Sequence, residues 1–96
     1  MPDRDKIIAS VIALVEGIQS ASGRSHEGIS GQTSLFGDID GFDSLNGLEM
    51  LVMVGASLET DLPEQMLRPM SNGASVTVGD LVERILKQME GHDGDN

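Results

Sequence analysis

The residues most able to do chemistry lie in Gly41-Phe42-Asp43-Ser44-Leu45, where Ser44 stands at the junction between a loop and a helix. A serine there could be a nucleophile or the carrier of a modification. A hydrolase would need a strained strand-to-helix elbow of the Gly-x-Ser-x-Gly kind and a rigidly held base. The segment lacks that pattern, and both histidines, His26 and His92, fall in a loop and at the chain end. The chain is therefore read as not an enzyme. Asp38, Asp40, Asp43 and Glu49 occupy positions 1, 3, 6 and 12 of a would-be calcium loop. Phe42 stands where a further ligand belongs and Asp43 where the turn demands glycine, so no dedicated metal site is expected. With no cysteine, disulfides, thiolate catalysis and cysteine zinc sites are excluded. What remains at Ser44 is its place in a first helical turn, among unpaired N–H groups at the positive end of the dipole. A phosphate ester would be well placed there. Ordinary capping uses the same residues, so Asp-Ser-Leu alone leaves both readings open.

The chain that holds this serine has 96 residues, 16 acidic and 6 basic, for a net charge of −10. That length suits one small domain, and 39% hydrophobic residues suffice for a modest core. The charge excludes nucleic acid, whose binding depends on neutralising phosphates, and disfavours an anionic membrane surface. Only Phe36 and Phe42 are aromatic, so there is no platform for stacking bases. From Ser25 to Leu67 there are eight carboxylates and no lysine or arginine. Such a stretch is either a solvated face or a surface that docks basic partners. The N-terminal segment, with early acidic residues and Glu16 in its apolar stretch, is not a signal peptide, and no run approaches a membrane span. A cytoplasmic protein is expected.

The positioning elements are helical. Ile7, Val11, Leu14 and Ile18 repeat at helical spacing over about Asp5–Ser20, with Ile8, Ile12 and Val15 beside them. A loop follows from Ala21 to Asp43, pinned at its far end by Leu35, Phe36 and Ile39. A second helix starts at Asp43-Ser44 with Asp43 as N-cap. It is apolar nearly all round, so periodicity cannot orient it, and Gly47 and Gly55 weaken it. Pro63 is placed to start a short helix over Glu64–Arg68, and 69–75 reads as a connector with an Asn72-Gly73 turn. The last helix opens on Thr77-Val78-Gly79-Asp80, a capping-box variant with Val76 and Leu81 as hydrophobic staple. Residues 1–90 then form the domain and 91–96 a disordered tail.

At this point the chain resembles the acyl carrier protein family, small four-helix domains that carry a 4′-phosphopantetheine arm on the serine of an Asp-Ser-Leu motif. The resemblance rests on Gly41-Phe42-Asp43-Ser44-Leu45 followed by Leu48 to Met53, with Glu49 where the family commonly has a glutamate. Leu62-Pro63-Glu64 and Thr77-Val78-Gly79-Asp80-Leu81 match later stretches, and order and spacing agree over the whole chain except its extreme tail. Three departures stand out. Asn46 replaces an acidic residue, Gly55-Ala56-Ser57 fills positions usually rich in carboxylates, and Met70–Ala74 is an insertion before the last helix.

The resemblance implies an all-α, acyl-carrier-type bundle of three main helices and one short helix, with a long first loop. Residue by residue it places Met50, Leu51, Val54 and Leu58 inward, with Ile7, Val11, Leu14, Phe36, Leu62, Leu81, Val82 and Ile85 completing the core. Leu45, Leu48, Glu49, Val52 and Ala56 face outward, Gly55 lies beside that stripe, and Leu48, Glu49, Val52 and Ala56 are the partner face. It further implies a monomer with phosphopantetheine attached covalently to Ser44, flanked by Asp43 and Leu45. The arm's thiol would hold acyl groups as thioesters, for a specialised lipid or secondary-metabolite pathway. The partners would be a phosphopantetheinyl transferase and acyl-transfer or acyl-activating enzymes with basic or apolar docking patches. Two other readings stay open: an aminoacyl or peptidyl carrier, and an unmodified acidic interaction module.

Overall fold

The computed structural model describes residues 3–94. Asp3 caps the first helix, α1 (Arg4–Ala21), its carboxylate accepting from the Asp5 N–H at 3.1 Å and so satisfying one of the donors a helix start leaves open. Ile7, Val11, Val15 and Ile18 form the buried stripe of α1, with Ile8, Ile12 and Leu14 half-buried beside it. The helices α2 (Ser44–Leu58) and α3 (Val78–Gly94) both pack on α1. A 3₁₀ turn at Glu64–Leu67 touches α2 on one side and α3 on the other. The described residues are thus all-helical, with three helices and no strand. An isolated bridge joins Ser34 to Thr77. No helix among the described residues is long and apolar enough to cross a membrane.

The expected fourth helix is corrected to this single turn. Its bonds are of the i→i+3 kind, from Met66 N–H to the Pro63 carbonyl at 3.0 Å and from Arg68 N–H to that of Gln65 at 3.2 Å. Arg68 precedes Pro69, whose ring disfavours a helical residue before it, and Arg68 is accordingly extended at ψ 148°. Arg84 of α3 then holds the segment, its Nη1 donating to the carbonyls of Met66 at 2.9 Å and Arg68 at 2.6 Å. At the other end, α3 runs to Gly94 with no proline to break its ladder. Four of the six residues read as a disordered tail continue that helix, and 95–96 lie outside the described residues.

The loop after α1 is bound to the rest of the protein by both apolar and polar contacts. Leu35, Ile39 and Phe42 are buried, adding to the core built by Met50, Leu51, Val54, Leu81, Val82 and Ile85. Leu14, Phe36, Leu58 and Leu62, expected in that core, are only partly buried and pack against its edge. Their places are taken by loop and connector residues, among them Leu35, Phe42 and Val76. The loop backbone pairs with the connector before α3, Leu35 N–H donating to the Val76 carbonyl at 3.0 Å. Gln19, fully buried, donates through Nε2 to the carbonyls of Ser25 at 2.8 Å and Asp40 at 2.6 Å. One side chain of α1 thereby clasps both ends of the loop.

The two glycines of α2 are explained by close packing. A Cβ on Gly47 would come within 2.9 Å of Leu67 Cδ1 and 3.0 Å of Phe36 Cζ. A Cβ on Gly55 would meet the Thr60 carbonyl at 2.7 Å, because left-handed Glu59 turns the chain back and Thr60 N–H donates to the Gly55 carbonyl at 3.0 Å. Gly55, expected beside the outward stripe, is consequently buried.

Candidate functional site

The start of α2 is built by two side chains on either side of Ser44–Leu45. Asp43 is extended, and its carboxylate accepts from the Asn46 N–H at 3.0 Å. Asn46 Oδ1 accepts in return from the Asp43 N–H at 3.3 Å, closing a capping box. Asn46, a departure in the sequence, is thus half of the cap. Because Asp43 and Asn46 do the capping, Ser44 is left exposed at the first helical position and Leu45, beside it, is 71% exposed.

Among the described residues the amides of Ser44 and Leu45 have no protein acceptor. These are two of the donors a helix start leaves open, and they sit at the positive end of a helix of 15 residues. An exposed hydroxyl flanked by open N–H groups is chemically suited to bearing an anionic ester.

Beside this helix start lies an open groove of about 720 Å³, bounded by α2 and the 3₁₀ turn. Phe36, Phe42, Leu48 and Leu67 make its apolar lining, and Ser44 and Arg68 lie along it too. The two phenylalanine rings pack against each other with centroids 5.9 Å apart.

The outward face of α2 carries Leu45, Leu48, Glu49, Val52 and Ala56, all exposed. Val52 is 72% exposed, and Met53 adds a further exposed apolar side chain that the residue-by-residue mapping left out. Among the described residues the one salt bridge, Arg4–Glu83, lies between α1 and α3. None of the eight carboxylates from Glu27 to Glu64 takes part in it.

The would-be calcium ligands are dispersed in role. Asp43 is engaged in the cap, and Asp38 accepts from the Ser34 N–H at 2.9 Å. Among the described residues no three histidine, aspartate or glutamate side chains gather in a metal-binding group.

Arg24 was missed in the sequence. It lies one residue before the acidic stretch, yet its guanidinium reaches the α2 start, donating to the Gly41 carbonyl and, from Nη2, to Asn46 Oδ1 at 3.1 Å. No local pattern signals this, because the contact spans 22 positions. Compared with family models, with curated proteins and with solved structures, the chain matches none.

Proposed function

We propose that this chain is a covalent acyl carrier, with Ser44 as the attachment point for 4′-phosphopantetheine. The observation that carries the reading is the exposed Ser44 at a capped helix start whose first two amides are open. In loading, a separate transferase would join Ser44 Oγ to the phosphorus of coenzyme A. The pyrophosphate P–O bond breaks, adenosine 3′,5′-bisphosphate leaves, and the hydroxyl proton passes to a base of the transferase. The chain's own part is to hold the hydroxyl outward, through Asp43 and Asn46, and to offer N–H donors to the phosphodiester. The attached arm would supply the thiol on which acyl groups are held, consistent with a chain that has no cysteine of its own. Acyl-transfer or acyl-activating enzymes would then meet the apolar outward face of α2, through Leu48, Val52 and Ala56, with Glu49 supplying charge.

The test is intact-protein mass after incubation with coenzyme A and a broad-specificity phosphopantetheinyl transferase. Gain of one arm by the wild type and none by Ser44→Ala supports the proposal. An unchanged mass for the wild type would sink it. It would favour the second reading, an unmodified interaction module, for which the exposure of Leu45 and Val52 speaks independently.

A further inference from the structure

Asp40 and Gly41 are consecutive residues just ahead of the Asp43 cap, and each carbonyl is taken by a side chain from the end of α1 or the residues after it. Buried Gln19 donates to the Asp40 carbonyl at 2.6 Å, and Arg24 donates to that of Gly41. Arg24 is itself tied back to α1, its N–H donating to the Gln19 carbonyl at 2.8 Å. The guanidinium lies so close over Gly41 that a Cβ there would meet Arg24 Cδ at 2.6 Å, and Gly41 has φ +68°, a conformation that favours glycine.

The second arm of the Arg24 fork meets Asn46 Oδ1 at 3.1 Å, the same oxygen that accepts from Asp43 N–H. A guanidinium only donates, whereas an asparagine amide has one accepting end and one donating end. Were the Asn46 amide turned over, its NH₂ would face both Arg24 and the Asp43 N–H, with no acceptor for either. A cation beside a helix N-terminus is also unfavourable with respect to the dipole. Its place here is explained by the acceptors it reaches, the Gly41 carbonyl and Asn46 Oδ1, with Ser22 Oγ a third at 3.3 Å.

We infer that Arg24 is a positioning residue for the modification of Ser44: it locks the Asn46 amide in the orientation that closes the capping box and so fixes the helix start on which Ser44 is presented. The inference rests on the carrier reading for its consequence in loading, but the lock itself can be measured without it. Loss of the lock leaves only a fraction of molecules with a formed cap. A transferase that selects the formed state then sees an apparent KM raised by the inverse of that fraction, with kcat at saturation unchanged.

The experiment compares wild type, Arg24→Ala, Arg24→Lys, Asn46→Asp and the double variant Arg24→Ala/Asn46→Asp in phosphopantetheine loading and in amide hydrogen exchange. For Arg24→Ala the expected result is a KM for the carrier raised roughly fivefold, as when the cap is formed in about one molecule in five, with kcat unchanged. Arg24→Lys keeps the charge but has no planar fork to span Gly41 O and Asn46 Oδ1, so it should behave like Arg24→Ala. The carboxylate introduced by Asn46→Asp has two accepting oxygens and no orientation to lock, so the effect of Arg24→Ala should largely vanish in that background. Exchange of the Asn46 backbone amide should quicken in Arg24→Ala as the open fraction grows, while that of Val54, deep in α2, stays constant. Wild-type kinetics for Arg24→Lys would overturn the inference by showing that charge alone matters. An undiminished effect of Arg24→Ala in the Asn46→Asp background would overturn it by showing that the amide is not what Arg24 holds. If no transferase loads the wild type, the carrier reading fails and the exchange data decide alone: quicker Asn46 exchange in Arg24→Ala upholds the lock, and unchanged exchange removes it.

Discussion

The starts of α2 and α3 are built on the same plan and finished in opposite ways. Each has a capping box, Asp43 with Asn46 in one and Thr77 with Asp80 in the other, where Asp80 N–H donates to Thr77 Oγ1 at 3.0 Å. In α3 the residues after the cap, Val78 and Gly79, are buried, and their amides donate to the carbonyls of Thr33 at 3.0 Å and Gly31 at 2.8 Å. In α2 the residues after the cap, Ser44 and Leu45, are exposed and their amides are open. One helix start is sealed by the loop packed over it, and the other is left uncovered at Ser44 and Leu45, with side chains reaching it only from the flank. The cap motif by itself therefore does not distinguish a buried joint from an open helix start. What distinguishes them is whether the protein uses up the first amides.

The largest expected effect breaks the comparison at the hydroxyl. Ser44→Ala should abolish loading with phosphopantetheine while circular dichroism shows unchanged helical content. If the alanine variant still gains the arm, the site lies elsewhere.

Next in size is the contrast between the apolar residues that follow each cap. Leu81 is fully buried, and Leu81→Ala should cost about 3 kcal/mol in chemical denaturation. Leu45→Ala, at an exposed position, should change stability by less than about 0.5 kcal/mol. Comparable losses for the two would mean that the α2 start is covered in solution.

The caps themselves should separate stability from loading. Thr77→Ala and Asp43→Ala should each cost about 1 kcal/mol. Only Asp43→Ala should slow loading, because the box at Thr77 presents nothing to a transferase. Equal loading by both variants would deny the α2 cap any part in presentation.

Further along α2, Val52→Glu should leave stability within about 0.5 kcal/mol of wild type, since the position is 72% exposed. It should weaken transfer to a cognate partner enzyme, and that binding should depend little on salt. Full partner activity would reduce the stripe to plain surface.

The smallest expected effect is ionic. Glu27 to Glu64 contribute eight carboxylates to a stretch without lysine or arginine, so added salt or magnesium should raise the melting temperature by a few degrees. A melting temperature indifferent to both would mean that these carboxylates are too far apart to repel one another.

Much of this was legible in the residues themselves. The helix starts were, because a cap is a contact across three positions: Asp43 and Thr77 identify themselves by type and by the apolar periodicity that follows. The exposed Ser44 and the inward set Met50, Leu51 and Val54 were assigned through the motif resemblance, and their exposure and burial in the structure agree with that assignment. Glu64–Arg68 reads locally as a short helix, but Pro69 holds Arg68 extended and limits the segment to one turn.

What the sequence by itself determined is therefore local: the all-helical class, the capping box at Thr77, the N-cap at Asp43 and the serine placed just inside it. Their partners lie within a turn or two of chain, where spacing dictates contact. Only the tertiary structure decided which amides stay open, that Gly47 and Gly55 seat Phe36, Leu67 and the Thr60 carbonyl, and that Gln19 and Arg24 hold the approach to Ser44. Those contacts join residues about twenty positions apart or more in several cases, as for Gln19 with Asp40 and Arg24 with Asn46. At such separations the loop between must first be closed and packed, and its closure is set by the core as a whole rather than by any neighbouring residue.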